Sequence, residues 1–346
     1  ISLSSVQKIE SYAFYGCKSL KKLFLPSSVT ELGFKAFGEC TSLTEINFAP
    51  NSNLSTIGEN CFINCSSLVN IIFPSSVSQI NGCAFYSCTS LKEVSFQSKS
   101  SIKKICGSFK FCTSLQKFTI PDSVEEIEEG SFYRCKSLKQ VAIPSSVKTI
   151  GKEAFYECEL LEKVEFKNDS LLKKIEDSVF DGCVKLTQIT IPLSVTEIGV
   201  KSFNGCTSVE NIIIPSSVTS IGDSCFNECK SLINISTPSS VSYIGNSAFN
   251  RCSYLLKFDI PSSITSIEGS TFSFCSSLLR VTITFSITSI GGSAFAGCSS
   301  LLQITIPSYV TFIGKYAFNR CFSIEKMKFY LLEKLYPRVF SMDTHH

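Results

Sequence analysis

Apolar and polar positions along this chain follow one short phrase that recurs fourteen times. In the unit from Cys206 to Cys229, Val209 leads into Ile212, Ile213 and Ile214, and Pro215 ends the run. β-Branched residues at alternate positions, bounded by proline, predict a short half-buried strand. Proline closes it because it has no N–H with which to extend a ladder. It recurs at Pro26, Pro74, Pro121, Pro144, Pro192, Pro238, Pro261 and Pro307. Ser216-Ser217 predicts a turn. Val218 and Ile221 predict a second short extended segment, with Gly222 as a bend. The stretch from Asp223 to Cys229 is too short for an independent helix. One tight turn is expected there, carrying Phe226 and Cys229 inward.

The period is set by cysteines at positions 17, 40, 65, 88, 112, 135, 158, 183, 206, 229, 252, 275, 298 and 321, and ten of the thirteen intervals are 23 residues. A fixed period of that size predicts a repeat solenoid, in which each unit buries its apolar face only against its neighbours. Strands stacked about 4.8 Å apart would give fourteen units a length of roughly 65 Å. The phenylalanines three residues before each cysteine, Phe14 through Phe318, then form a continuous buried aromatic column. A stacked array of this kind offers a long surface rather than a pocket.

Leu-x-x-Ile-x-Ile-Pro followed by Ile-Gly-x-x-Ala-Phe-x-x-Cys, as in Leu138–Cys158 and Leu301–Cys321, resembles the BspA-like, Treponema-pallidum-type class of leucine-rich repeats. The likeness runs from Ile9 to about Phe329. It implies a right-handed superhelix or arc with a parallel β-sheet on its concave face. It further implies display on a cell surface, or secretion, and an adhesin-like role. The expected solenoid occupies residues 1–329. Residues 330–346 leave the pattern and are expected to form a partial C-terminal cap, with a tag remnant at the histidines. The chain opens in mid-repeat without an initiator methionine, and is read as a segment of a longer protein.

A net charge of +3 is too small to argue for nucleic acid as a partner. No run approaches the ~20 apolar residues that span a bilayer, so direct membrane insertion is not expected in this segment. Extra residues at one register, in 49–54, 97–102 and 167–171, map to one edge of the solenoid. Two of these carry sequons at Asn53 and Asn168, and Asn64 and Asn234 begin two more, which favours a secreted history. The only histidines are His345 and His346, and none of the eighteen cysteines lies in a Cys-x-x-Cys pair, so no metal site and no cofactor are expected. The fourteen ladder cysteines are expected to be reduced and buried. Cys61, Cys83, Cys106 and Cys225 stand off the ladder, and bridges between Cys61 and Cys83 or Cys83 and Cys106 stay open beside the plainer reading as small residues near a turn. The acidic run Asp122–Glu129 is read as charge pairing. Lys103 and Lys104, Glu125 and Glu126, and Lys148 share one register and should stack as a Lys–Glu–Lys ladder. No catalytic constellation is present, so an enzyme is not expected.

Binding residues are therefore sought where the repeats vary. One outward column on the long strand reads Lys22, Glu45, Asn70, Glu93, Lys117, Gln140, Lys163, Gln188, Asn211, Asn234, Lys257, Arg280, Gln303 and Lys326. A second, two residues on, runs from Phe24 to Lys328. Such a face is either merely solvated or suited to a protein (host or matrix) ligand, or a glycan. One residue before the first column, Ile233, Leu256, Leu279 and Leu302 replace polar residues. They form an apolar stripe that is either a partner or self-association contact or additional core. The leading expectation is a non-enzymatic, adhesin-like surface protein. The rival is an intracellular scaffold of the same fold, cytoplasmic in location.

Overall fold

The computed structural model describes residues 5–329. The expected cap over 330–346 lies outside the described residues. Fourteen long strands of two to four residues alternate with fourteen two-residue strands, and no helix occurs among the described residues. All strand pairs are parallel and each joins neighbouring repeats at the repeat register, as in Lys22↔Glu45 through Leu25↔Phe48 for the long strands and Glu126↔Thr149 for the short ones. The chain is thus a parallel-strand repeat solenoid of about fourteen turns, as the period predicts.

Sequence and ladder agree in detail. Pro26, Pro74 and Pro144 end their strands without an N–H. In each following repeat that register holds Ala49, Gln97 or Lys167, whose N–H does extend the ladder, to Leu25, Phe73 and Ile143 at 2.9 Å. These are the three repeats with extra residues, and each added loop turns through a left-handed residue, Asn51, Lys99 or Asp169. The second serine of Pro-Ser-Ser donates to a valine carbonyl of the preceding repeat, as from Ser146 to Val124 at 2.6 Å and from Ser240 to Val218 at 2.7 Å. That carbonyl ends its own short run and takes a side-chain donor in place of a ladder N–H.

The tight turn has a repeating backbone of its own. In every unit the residues two before and two after the ladder phenylalanine have positive φ, as Ser224 (53°) and Glu228 (59°) do around Phe226. Most are not glycine. A left-handed residue other than glycine costs on the order of 1–3 kcal/mol, so the conformation must be held by bonds that it alone permits. It points alternate N–H groups along the solenoid: Ser224, Phe226 and Glu228 each donate to the next repeat at 2.8 Å, while Cys225, Asn227 and Cys229 bond back within their own turn. The forward bonds from the phenylalanine, and from the residue two after it, recur at all thirteen junctions. Gly222 is required for a different reason, since a Cβ there would lie 2.6 Å from backbone atoms of Gly199 and Val200.

The core is the stack of inward residues from the turn and both strands. From Phe37 to Phe295 the ladder rings are buried and their planes are nearly parallel, with neighbouring centroids 5.1–6.1 Å apart. The expected column is shorter by its ends. Phe14 is 40% exposed and Phe318 only partly buried, because each has a ring neighbour on one side alone among the described residues. The ladder cysteines have a specific task. From Cys40 to Cys321, each thiol donates to the phenylalanine carbonyl of the preceding repeat at 3.0–3.3 Å. A small side chain that is both apolar and a weak donor suits that site better than alanine or leucine.

Candidate ligand-binding face

The long strands place the outward columns as alternation demands. Ile212 and Ile214 are buried while Asn211 and Ile213 are exposed. Every member of the first column is exposed or half-exposed: Lys22, Glu45, Asn70, Glu93, Lys117, Gln140, Lys163, Gln188, Asn211, Asn234, Lys257, Arg280, Gln303 and Lys326. The face is mostly polar, with isolated apolar points at Phe24, Ile72 and Ile213. Over the first nine strands the cations of the two outward columns are matched by carboxylates: Lys22–Glu45 at 2.8 Å, Lys117–Glu93 at 2.8 Å and Lys163–Glu165 at 2.9 Å. Ala142 is small where its neighbours Thr119 and Glu165 are not. The result is a depression of about 430 Å³ lined also by Lys117, Asp122, Gln140, Lys163 and Lys167.

The aliphatic stripe stands in the open. Leu256, Leu279 and Leu302 are 41%, 46% and 49% exposed, and Ile233 is half-buried. Backbone bonds from Leu256 to Ile233 (3.3 Å) and from Leu279 to Leu256 (2.9 Å) hold these residues in register. Glu325 follows Leu302 at this register and ends the stripe.

On the short-strand edge the predicted charge ladder forms. Glu125 lies between Lys103 (2.7 Å) and Lys148 (2.6 Å), and Glu126 meets Lys104 at 2.7 Å. The two lysine hydrogen bonds hold the Glu125 carboxyl down at about 2.

Two further columns on the turn side escaped the sequence reading. At the register just after the ladder phenylalanine, Asn204 donates to Asp181 at 2.6 Å, Asn227 to Asn204 at 2.7 Å, and Asn250 to Asn227 at 2.8 Å. Burial pushes the Asp181 carboxyl up, opposed by the Asn204 amide. Earlier along the solenoid, Tyr133 and Tyr156 stack at 4.8 Å and Phe111 lies 5.4 Å from Tyr133. Arg134 covers Phe111 and Tyr133 and pairs with Glu157 at 2.8 Å. The recurrence of Tyr, Asp and Asn one place after Phe was visible in the sequence, but nothing local says that this position points sideways into its neighbour.

No group of three or more His, Cys, Asp or Glu is arranged to hold a metal ion among the described residues. Nor is any helix long and apolar enough to cross a membrane. Every cysteine carries an unpaired thiol. Cys61 and Cys225 fill the register just before the ladder phenylalanine, elsewhere Ala, Ser, Thr or Val, and are fully buried. Cys83 and Cys106 are half-buried, and burial together with Glu128 pushes the Cys106 thiol up to about 12.

The family profile described as "BspA type Leucine rich repeat region (6 copies)" matches residues 1–106, 105–233, 173–301 and 272–345. Among solved structures, a leucine-rich repeat protein from Bacteroides ovatus is 26% identical with a TM-score of 0.74, the alignment covering 94% of this chain and 88% of that one. A leucine rich cell surface protein from Faecalibacterium prausnitzii is 32% identical with a TM-score of 0.55, over 94% and 83% of the two chains. No curated protein matches this chain.

Proposed function

The chain belongs to the BspA-type leucine-rich-repeat family, and from that premise we propose that it is a non-enzymatic, adhesin-like protein displayed on the cell surface or secreted. It would bind a protein ligand, of host or matrix origin, along its long-strand face, with glycan as a second ligand class and nucleic acid as none. The observation that carries this reading is geometric. A fourteen-strand face of exposed, variable side chains rests on a backbone that leaves each strand little freedom to move. Pre-organised surfaces lose little entropy on binding, so even shallow polar contacts along such a length can sum to useful affinity. Leucine-rich-repeat folds are typically binding scaffolds, and the Faecalibacterium relative, at 32% identity, is described as a cell surface protein.

The unpaired thiols favour a second reading, an intracellular scaffold of the same fold, because reducing compartments keep cysteines unbridged. Surface biotinylation of intact, unpermeabilised cells that produce the protein separates the two. Labelling is expected, and its absence beside a well-behaved cytosolic control would sink the adhesin reading. For the face itself, a Lys117→Glu/Lys163→Glu variant should bind ligand at least tenfold more weakly. Unchanged binding by that variant and by its C-terminal counterparts would remove the strand face from the account.

A further inference from the structure

The strand face is not uniform, and its last four strands differ in two independent ways. Over the first nine strands the three cations of the two outward columns each have a carboxylate within 2.9 Å in those same columns. Over the last four, the same columns hold Lys257, Arg280, Lys326 and Lys328 against a single acid, Asp259, with Glu325 at the end of the neighbouring stripe. Asp259 lies 3.9 Å from Arg280 and also accepts the Thr282 hydroxyl at 2.7 Å. Lys257, Lys326 and Lys328 have no ion-pair partner among the described residues. Arg280, Thr282, Gln303, Thr305, Lys326 and Lys328 line an open depression of about 400 Å³. The aliphatic stripe occupies these same repeats, one residue upstream of the first outward column in the chain: Leu256 beside Lys257, Leu279 beside Arg280, and Leu302 beside the neutral Gln303.

Resting on the strand-face reading above, we infer that repeats ten to fourteen form a docking site for an acidic polypeptide segment bearing aliphatic side chains. Unpaired cations on one column call for carboxylates. Three exposed leucines beside them call for apolar groups delivered by the same partner. An acidic polysaccharide would satisfy the first demand and leave the leucines in water. A fatty or purely apolar partner would satisfy the second and strand the lysines. The pitch of the array selects further. Equivalent side chains recur about every 4.8 Å, close to the ~5.4 Å rise of one helical turn. A helix with aliphatic residues at every third or fourth position and acids alongside meets the leucines and the cations turn by turn over about 15 Å.

The test is a display selection of random 16-residue segments against the whole chain at low salt, followed by affinity measurement of the recovered peptides by fluorescence anisotropy. Recovered segments should be enriched in Asp and Glu with Leu or Ile three or four residues apart. Their affinity should fall at least tenfold with Leu279→Ser, and again with Lys257→Glu/Lys326→Glu. It should be unmoved by Lys22→Glu, and weakened but not abolished on going from low to moderate salt, as mixed charge and apolar contact requires. All these positions are exposed, and circular dichroism of each variant confirms that it folds. Binders without that composition, or binders indifferent to the C-terminal variants, overturn the inference. If their binding is instead lost with Lys117→Glu/Lys163→Glu, the strand-face function survives while this site falls. Binders that no strand-face variant touches count against both. Polygalacturonate or heparin binding through Lys257 and Lys326, unaffected by Leu279→Ser, would replace the polypeptide with an acidic glycan and also overturn it.

Discussion

Phe155→Ala is the sharpest probe of how this solenoid is held together. The Phe155 ring is fully buried, 5.1 Å from Phe132 and 5.6 Å from Phe180, with planes 9° and 12° apart. Truncating a buried phenylalanine costs about 3–5 kcal/mol, least where the surroundings can collapse into the hole. Here they cannot. The Phe155 N–H bonds to Val179 at 2.9 Å and its carbonyl accepts the Cys183 thiol at 3.2 Å, which pins the following turn. Phe132 makes the same pair with Ala154 at 2.8 Å and Cys158 at 3.3 Å, which pins the preceding one. Two ring pairs are also lost, each of which adds about 0.5–1.5 kcal/mol beyond burial. The expected loss is therefore at the upper end, about 4–5 kcal/mol. Phe318→Ala removes one ring pair at 5.2 Å from a partly buried site, and should cost about half as much. Because a stack is stabilised by nearest-neighbour terms, the interior lesion should also uncouple the two sides. Urea unfolding followed by circular dichroism should show a broadened or two-step transition, and hydrogen exchange should rise first around repeats six to eight. Equal losses at Phe155 and Phe318, or an interior cost below about 1 kcal/mol, would refute the idea that fixed turns prevent collapse.

Glu125→Gln tests the charge ladder. Because the Glu125 carboxyl is held at about 2 by Lys103 and Lys148, its contribution is complete above the ordinary glutamate value of about 4.3 and is lost as pH falls toward 2. The variant should melt below the wild type at pH 7 and converge with it near pH 2, and a gap of equal size at both would assign the effect elsewhere. The cysteines can be counted by reactivity, since burial pushes ladder thiols such as Cys88, Cys135 and Cys158 well up and keeps them from the thiolate form. Iodoacetamide at pH 8 with mass-spectrometric mapping should label Cys17 first, Cys83, Cys106 and Cys321 more slowly, and the fourteen buried cysteines only after unfolding. Rapid labelling of Cys158 or Cys206 would contradict the packing.

Much of this fold could be read from the chain because apolar alternation, proline stops and a fixed cysteine register each have a local physical meaning. The strands, the inward phenylalanines, the charge ladder at Glu125 and the exposed outward columns all follow from those signals. What could not be read is what depends on the neighbouring repeat. The left-handed positions around each phenylalanine are filled by Lys, Glu, Asn, Ser, Arg, Phe and Tyr as readily as by glycine. Their conformation is enforced by hydrogen bonds to the next turn and leaves no compositional trace. Asn204, Asn227 and Asn250 looked like ordinary polar turn residues, and only stacking turns them into an amide ladder. Leu256, Leu279 and Leu302 precede the strand proper, where alternation no longer dictates which way a side chain faces, so exposure and burial were both open until the backbone was seen.

The backbone of the turns has an electrical consequence. Along a strand, successive peptide groups point in opposite directions and their dipoles largely cancel. In these turns two peptide groups, one ending in the N–H of the phenylalanine and one in the N–H of the residue two after it, repeat one orientation. Their N–H is directed toward the next unit and their C=O toward the previous one, as from Phe226 to Ala248 and from Glu228 to Asn250, while the peptide group between them bonds back within its own turn. Each carries a dipole of about 3.5 D, and stacking aligns them head to tail from Phe14 to Phe318. The turn side is therefore a macrodipole whose positive pole lies at the C-terminal end, the reverse of an α-helix relative to chain direction. Each repeat added by duplication extends it in the same sense, so that anionic groups are favoured at the C-terminal end of the turns and cationic ones at the N-terminal end.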